Sequence, residues 1–305
     1  MSEAMQGQPA PGRPTGPDGG AVADAEATAG PGRRRRGLNP ALVIGGSIVL
    51  GVVLIALVSY VWTPYPQMRV LPVEPYQTPN AEHWLGTDRL RRDVLTQILV
   101  GARTTLYVGL VAVGVAAAVG VPLGILAAMS PGWLGQLVMR SNDVLLAFPA
   151  LLLAIMFAAL YGGSTRVAMI AIGIATIPAF ARVTRSGALG VMRTEYVLAA
   201  RAAGRSSWGI AWRHVLPNVA GLVIVQASVS FAIAILAEAA LAYLGLGTPT
   251  GQASWGRMLY EAQSTLRAAP HLAIIPGAAI ALSVLGFNLF GDGLRDWLDP
   301  KLQDR

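Results

Sequence analysis

Cysteine is absent from the 305-residue sequence, and lysine occurs once, at Lys301. A chain without cysteine has no disulfide framework, no thiol nucleophile and no thiolate metal site. A Walker A loop for ATP requires Gly-x-x-x-x-Gly-Lys-Ser/Thr, and Lys301 lies in no such motif. Neither His-Glu-x-x-His nor Gly-x-Ser-x-Gly occurs, so membrane-protease chemistry lacks its reacting groups. We predict no catalytic, cofactor-binding or metal site on this chain.

Charged residues are scarce as well. They make up 13% of the sequence, against 54% hydrophobic residues, and the mean hydropathy is +0.54. This composition is typical of an integral membrane protein. A net charge of +7 also occurs in nucleic-acid-binding proteins, but here the arginines concentrate in loops on alternate sides of the apolar segments, as the positive-inside rule expects. We therefore predict a membrane protein that has no nucleic-acid partner.

Long uncharged runs predict the membrane spans. Residues 41–62 carry no charge, and as a helix they would be about 33 Å long, enough to cross a hydrocarbon core of about 30 Å. No alternating pattern of the kind that predicts strands appears. The predicted fold class is therefore an all-α integral membrane protein with six transmembrane helices. The same length test places the five further spans at 105–130, 142–162, 165–185, 215–245 and 270–291.

The predicted spans divide the chain into four parts. Residues 1–36 are rich in glycine, proline and alanine, which predicts a disordered cytoplasmic tail. Residues 37–104 hold the first transmembrane helix and an external segment. Residues 105–291 form the core domain, with a cytoplasmic loop at about 186–214, and residues 292–305 form a cytoplasmic C-terminal tail. Six spans place both termini on the arginine-rich, cytoplasmic side.

The loop before the fifth span carries the most informative pattern in the chain, EYVLAARAAGRSSWGIAWRHVLPN at residues 195–218. Its alanines predict a short helix that ends at Gly204, because glycine readily adopts the left-handed conformation that terminates helices. Ser206 or Ser207 can then cap a second short helix, and Pro217 suits the first turn of the next span. A helix–glycine–helix element docked on a partner would couple events outside the bilayer to events inside it.

This pattern resembles the EAA loop of ABC-importer permeases, whose signature is Glu-Ala-Ala, a glycine four residues on and a Leu-Pro further along. The alanines and the glycine are matched at Ala199, Ala200 and Gly204, whereas the glutamate position holds Leu198. The alternative interpretation is an interfacial helical hairpin that only joins two spans. The resemblance assigns coupling to a partner ATPase to Glu195, Leu198, Ala199, Ala200, Arg201, Gly204, Leu216 and Pro217.

Further motifs flank the second span, follow the fifth span and occupy the C-terminal end. They are Leu85-Gly86-Thr87-Asp88, Arg92-Asp93-Val94-Leu95, Gly101-Ala102-Arg103, Tyr243-Leu244-Gly245-Leu246-Gly247, Ser254-Trp255-Gly256 and the run from Asn288 to Asp296. In this order they resemble the dipeptide, oligopeptide and nickel permeases, in the subunit usually labelled C. Arg91 stands where that family commonly has glycine, which bears on the backbone turn at this position.

The resemblance implies a type I ABC-importer permease fold in which residues 105–291 form the core permease domain. It implies a subunit that forms half of the translocation pathway for short peptides in a bacterial plasma membrane. The implied partners are a second homologous permease, two ATPase subunits that bind ATP and magnesium, an extracytoplasmic substrate-binding protein and the lipid bilayer. The chain itself would be a transport subunit and not an enzyme.

Two alternatives remain open at the level of sequence. The importer could carry a non-peptide ligand such as a nickel chelate or another small nutrient, since in this family the external binding protein largely sets selectivity. From a different class, the chain could be a self-sufficient channel or secondary transporter, although the EAA-like loop argues against this.

A few polar residues lie within predicted spans, where an ionisable group is costly unless it has a partner. We interpret Glu238 as pairing within the bundle or, less strongly, as lining the pathway. Gln226 and Asn288 can hydrogen-bond between helices. Trp255, in the predicted external segment after the fifth span, is interpreted as an anchor at the membrane interface.

Overall fold

The structure is a computed structural model that describes residues 39–67, 69–130 and 132–298. The predicted tail at 1–36 and the end of the chain beyond Leu298 lie outside these residues. Within the described ranges the chain forms ten α-helices and no β-strand, which confirms the all-α class. The helices are α1 (Pro40–Val61), α2 (Val94–Met129), α3 (Trp133–Ala147), α4 (Ala150–Tyr161), α5 (Thr165–Val191), α6 (Glu195–Ala202), α7 (Ser207–Ile210), α8 (Leu216–Tyr243), α9 (Trp255–Ala262) and α10 (His271–Leu298).

Five helical stretches are long and apolar enough to cross a membrane, namely α1, α2, α5, α7 continuing into α8, and α10. A sixth apolar segment consists of α3 and α4, which bend by 81° at their junction. The span predicted at 142–162 is therefore not one straight helix, because the helix breaks inside it. Phe148 is extended, with φ −86° and ψ 127°. Pro149 explains the break, since proline disfavours helical backbone in the preceding residue and lacks the N–H that would continue the helix.

Two helices extend beyond the spans that the sequence predicts. α2 begins at Val94 and not at 105, so residues 94–104 and the second span form one continuous helix. Its start is fixed by Asp93, whose carboxylate accepts a 2.7 Å hydrogen bond from the Thr96 N–H, as expected of an N-cap aspartate. α10 continues past residue 291 to Leu298, so the first part of the predicted C-terminal tail is helical.

The centre of the bundle is the contact between α2 and α5, where two glycines allow the backbones to approach closely. A β-carbon at Gly120 would lie 2.6 Å from the Ile177 carbonyl oxygen, and one at Gly124 would lie 2.5 Å from the Ala181 carbonyl oxygen. The four-residue spacing puts both glycines on one face of α2. This is the small-residue packing by which helices associate in membranes, where burial of apolar surface gives little driving force.

The segment between α1 and α2, residues 62–93, is fixed by buried polar contacts. Arg92 donates from Nε to the Asp88 carboxylate at 2.6 Å and also pairs with Glu261 on α9. Trp255 packs into the same region with 3% of its surface exposed, and its indole N–H donates to the Ile98 carbonyl at 3.0 Å. The interpretation of Trp255 as an interfacial anchor is therefore wrong. It joins α9 to α2.

Arg91 adopts a left-handed backbone conformation, with φ +60°, at the position where the resembling family commonly has glycine. Its N–H donates to the Asp88 carbonyl at 3.0 Å, and its carbonyl accepts from the Leu71 N–H at 3.0 Å. The turn is therefore retained with arginine, and the β-carbon brings the strain that a left-handed residue incurs.

We expect Arg91→Gly to raise the free energy of unfolding by about 0.5–1 kcal/mol, because glycine removes left-handed strain at some cost in chain entropy. The measurement is the thermal unfolding midpoint of the purified protein in detergent. Arg89→Gly, at an exposed neighbour without positive φ, is the control and should not stabilise. Equal midpoints for Arg91→Gly and the unsubstituted protein would contradict the assignment of strain.

Candidate functional site

The loop between α5 and α8, residues 192–215, begins with the short helix α6. Gly204 follows this helix with φ +74°. Its N–H donates to the Arg201 carbonyl at 2.9 Å, and the Arg205 N–H donates to the Ala200 carbonyl at 3.1 Å. These two bonds form a Schellman motif, which satisfies carbonyls that would otherwise be left at the helix end. The turn predicted at Gly204 is therefore present, and we call residues 192–215 the α5–α8 loop.

The second half of the loop leads into the span without a break. Ser206 caps α7, accepting a hydrogen bond from the Gly209 N–H at 3.2 Å. A π-helical turn, Ala211–Val215, then joins α7 to α8, with the Leu216 N–H donating to the Ala211 carbonyl. Pro217 accounts for this wider turn, because it has no N–H to complete the α-helical pattern on the preceding turn. Pro217 lies in the first turn of α8, as the sequence predicts, whereas the π-turn was not predicted.

The inner side of the loop is attached to the bundle by apolar contacts. Val197 of α6, Ile210 of α7 and Val215 of the π-turn are buried and belong to one cluster with Ala188 of α5 and Val219 of α8. Both short helices are therefore packed on the same two spans. A force applied to α6 or α7 would be transmitted to α5 and α8, because close-packed interiors deform little.

The outer side of the loop exposes large apolar side chains. Trp208 is 72% exposed and Trp212 is 56% exposed, and their rings meet edge to face with centroids 5.7 Å apart. Tyr196 and Leu198 are also exposed. Such a concentration of exposed aromatic and aliphatic surface is typical of a binding site for another protein. We call Tyr196, Leu198, Trp208 and Trp212 the outer face.

The predicted coupling residues lie together in or next to this loop. Glu195 is in the first turn of α6 and Arg201 in its last turn, where the helix dipole favours each charge. The two tryptophans were not predicted as part of the site. Their spacing of four residues after a capping serine does indicate that they share one helix face. The exposed members of the predicted set are Glu195, Leu198, Ala199, Arg201, Gly204 and Pro217, and the half-buried members are Ala200 and Leu216.

Glu238 lies elsewhere, in α8, with 1% of its surface exposed. The Thr248 hydroxyl donates to its Oε1 at 3.1 Å, and the Ser254 side chain also hydrogen-bonds its carboxylate. Both partners lie in the segment between α8 and α9. The carboxylate therefore holds this segment against the span, and these contacts favour the interpretation of Glu238 as a pairing residue within the bundle.

Gln226 and Asn288 do not form the interhelical bonds expected of them. The Gln226 amide donates to Ser230 Oγ at 3.0 Å, one turn along the same helix. The Asn288 side chain has no hydrogen bond to another described residue. Contact between α8 and α10 is instead made by Ser228, whose hydroxyl donates to the Phe287 carbonyl at 2.9 Å. Sequence alone could not select Ser228, because Ser230, two residues further along α8, is an equal candidate.

Residues 120–304 match the protein family described as the binding-protein-dependent transport system inner membrane component. This chain belongs to that family. The match includes the α5–α8 loop. The chain is thus a multi-pass inner-membrane permease component of an ABC importer and not an enzyme. Membership implies partner subunits that use ATP and a partner that binds substrate.

Similar proteins agree with this assignment. The permease is 41% identical, over 87% of each chain, to the dipeptide transport system permease protein DppC of Alkalihalophilus pseudofirmus. It is 41% identical to the glutathione transport system permease protein GsiD of Pectobacterium atrosepticum, over 86% of this chain and 87% of that protein. A structure of the MetNI methionine ABC transporter in an inward-facing conformation aligns with this chain with a TM-score of 0.56 at 18% identity. The alignment covers 67% of this chain and 97% of that one. It supports the type I permease fold.

Removing the Glu238 carboxylate should destabilise the permease. We expect Glu238→Ala to cost about 1–3 kcal/mol, because the buried hydroxyls of Thr248 and Ser254 lose their shared acceptor. Unfolding midpoints in detergent measure this, with Glu195→Ala, an exposed acid, as the control. Thr248→Val should destabilise the Glu238→Ala variant by less than it destabilises the unsubstituted protein. Independent, additive losses would show that the two side chains do not act as a pair.

Proposed function

We propose that this permease is one of two permease subunits in an ATP-driven importer of short peptides, and that its α5–α8 loop docks on an ATPase subunit. The observation that carries the docking proposal is the two-sided construction of the loop. One side is packed on α5 and α8, and the other presents the outer face. An exposed surface attached in this way suits a contact that transmits movement.

The peptide substrate is supported by the relatives. The dipeptide permease of Alkalihalophilus pseudofirmus and the glutathione permease of Pectobacterium atrosepticum carry short peptides according to their names. Each aligns with more than four fifths of this chain at 41% identity. A permease that aligns with both relatives over this share of its length is best assigned to the same substrate class.

Docking on an ATPase is supported by the composition of the outer face. Leu198 stands at the position where the EAA signature has glutamate, and it adds exposed apolar surface to the same loop as the tryptophans. Arg201 and Arg205 are exposed in this loop as well. A partner groove with an apolar floor and an acidic rim would match this surface, because rim charges orient a complex whose centre is apolar.

The remaining arrangement follows the family pattern. A second homologous permease would complete the pathway, two ATPases would dock on the two loops, and an extracytoplasmic binding protein would deliver the peptide. The stretch from Arg182 to Arg213 holds six arginines and one acid, Glu195, and on this ground we assign the end of the bundle that carries the α5–α8 loop to the cytoplasm. With the bent α3–α4 segment counted as one crossing, we propose that both termini are cytoplasmic.

Cysteine labelling in intact cells tests this orientation, and the absence of native cysteine makes each introduced one unique. Ser207→Cys in the α5–α8 loop should be protected from a membrane-impermeant thiol reagent and should react after permeabilisation. Gln252→Cys should react without permeabilisation. Both positions are exposed, whereas the neighbouring Ser254 is buried and unsuitable. Reaction of Ser207→Cys in intact cells would invert the orientation and remove the docking proposal.

Gly204→Val tests the coupling role. Valine has room there, since a β-carbon at Gly204 meets no atom within 4 Å, but left-handed backbone costs a branched residue about 1–2 kcal/mol. Misaiming α6 against α7 should lower transport and transport-linked ATP hydrolysis together, by roughly three- to tenfold. The measurement uses the complete transporter reconstituted in proteoliposomes.

Two matched variants separate coupling from folding. Gly204→Asn should retain activity, because asparagine tolerates the left-handed conformation. Gly190→Val, in α5 at a site that is equally open but has no positive φ, should also retain activity. If Gly204→Val assembles and transports as well as these controls, the loop is only a connector.

A further inference from the structure

A second site lies at the C-terminal end of α1, on the opposite end of the bundle from the α5–α8 loop. A cleft of about 300 Å³ is lined there by Trp62, Tyr65, Glu82, Trp84 and residues at the start of α2. The two tryptophans are largely solvent-accessible, at 52% and 65% exposed. The cleft therefore has aromatic walls and two acidic side chains, Glu82 and Asp93.

The walls of the cleft are held in place by the surrounding chain. The Tyr65 N–H donates to Thr96 Oγ1 at 3.3 Å, and its hydroxyl donates to the Glu82 carbonyl at 3.0 Å. Asn80 accepts hydrogen bonds through Oδ1 from the N–H groups of Glu82 and His83, at 2.9 and 2.7 Å. This turn fixes the backbone that carries Glu82. The cleft is thus formed before any ligand arrives.

Its charge favours a cation. Asp93 also lines the cleft, but its carboxylate is occupied, with His83 on Oδ1 at 3.1 Å and Thr96 on Oδ2 at 2.7 Å. The exposed side chain of Glu82 has no hydrogen bond or ion pair with another described residue. A free carboxylate beside tryptophan and tyrosine rings is the combination that binds ammonium groups, through charge and through cation–π attraction.

The position of the cleft favours a lipid as the source of this cation. Trp62 directly follows the last residue of α1, so the cleft lies at the level where a span meets the headgroups. In the most apolar stretch of α1, 17% of the residues are buried, the smallest share among the five single-helix spans in the described part of the chain. The cleft therefore opens beside an apolar span that the rest of this chain leaves largely uncovered, as a lipid contact requires.

A basic group lies deeper along the same pair of helices. Arg103 on α2 donates from Nε to Ser59 Oγ at 2.5 Å, and its guanidinium carbon is 4.0 Å from the centroid of the Tyr60 ring. Its terminal nitrogens have no other described partner. Arg103 contacts Ser59, which precedes Trp62 by three residues, or about 5 Å along α1, so Arg103 lies closer to the membrane centre than Trp62.

We propose that the end of α1 and the adjoining part of α2 bind the headgroup of an ammonium-bearing phospholipid such as phosphatidylethanolamine. The ammonium group occupies the cleft between Trp62, Trp84 and Glu82, and the phosphate meets Arg103. The order of the two sites along the membrane normal matches the headgroup, in which the phosphate is nearer to the acyl chains than the ammonium. This site is independent of the ATPase-docking proposal.

Lipid retention by the purified transporter tests the proposal. The complex is exchanged into detergent with equal amounts of phosphatidylethanolamine and phosphatidylglycerol of the same acyl chains, and bound lipid is counted by native mass spectrometry. The unsubstituted protein should retain phosphatidylethanolamine preferentially. Glu82→Gln should reduce that retention roughly threefold and leave phosphatidylglycerol unchanged, as expected for loss of one accessible ion pair. Trp84→Leu should act in the same direction through loss of cation–π attraction.

Three comparisons make the outcome decisive. Arg103→Gln should reduce retention of both lipids, because both carry the phosphate. Glu74→Gln, an exposed acid in the same segment but outside the cleft, should change neither. A soluble dipeptide should not displace phosphatidylethanolamine. The proposal would be overturned if the unsubstituted protein retained the two lipids equally or if Glu82→Gln left the preference unchanged. Displacement by the dipeptide would also overturn it, because the cleft would then bind a soluble amine.

Discussion

Close packing of α2 against α5 is the contact on which the other parts of this permease depend. Without side chains at Gly120 and Gly124, the α2 backbone comes close enough to α5 to touch its carbonyl oxygens. Water is excluded from such a contact, and dispersion between closely spaced backbones contributes most of the attraction. α5 leads into the α5–α8 loop and α2 carries Arg103 and Thr96, so this one packing contact positions both functional regions.

The α5–α8 loop shows how a short irregular segment becomes a rigid connection. Its Schellman turn at Gly204 satisfies the end of α6, and its π-turn avoids a break before Pro217. Apolar contacts of Val197 and Ile210 with the spans then prevent independent movement. The backbone groups at the helix ends are hydrogen-bonded and the inner side chains are packed on the spans. The loop therefore differs from a flexible linker and suits transmission of force from an ATPase.

At the opposite end of the bundle, polar contacts hold the segment before α2 in place. Arg92 links the segment before α2 to α9, and Asp93 caps α2 while pairing with His83. Each buried charge has an opposite charge or hydrogen-bond donors next to it, as burial requires. Glu82 differs from this pattern because its carboxylate has no described partner, and it lies beside aromatic rings at the membrane boundary. An accessible carboxylate beside aromatic rings at the membrane boundary is what distinguishes the cleft from the rest of this segment.

The sequence by itself determined the features that depend on neighbouring residues. The presence of the apolar spans, the turn at Gly204, the serine cap of α7 and the family follow from local composition and spacing, because hydropathy and backbone conformation act over a few residues. The bend at Pro149 was also within reach of the sequence, but the apolar run around it suggested a continuous span. Only the tertiary structure decided that Trp255 is buried against α2, that Glu238 pairs with Thr248, and that Glu82 and Trp62 share one cleft. These depend on residues far apart in the chain, and one sequence carries no record of which distant side chains will meet.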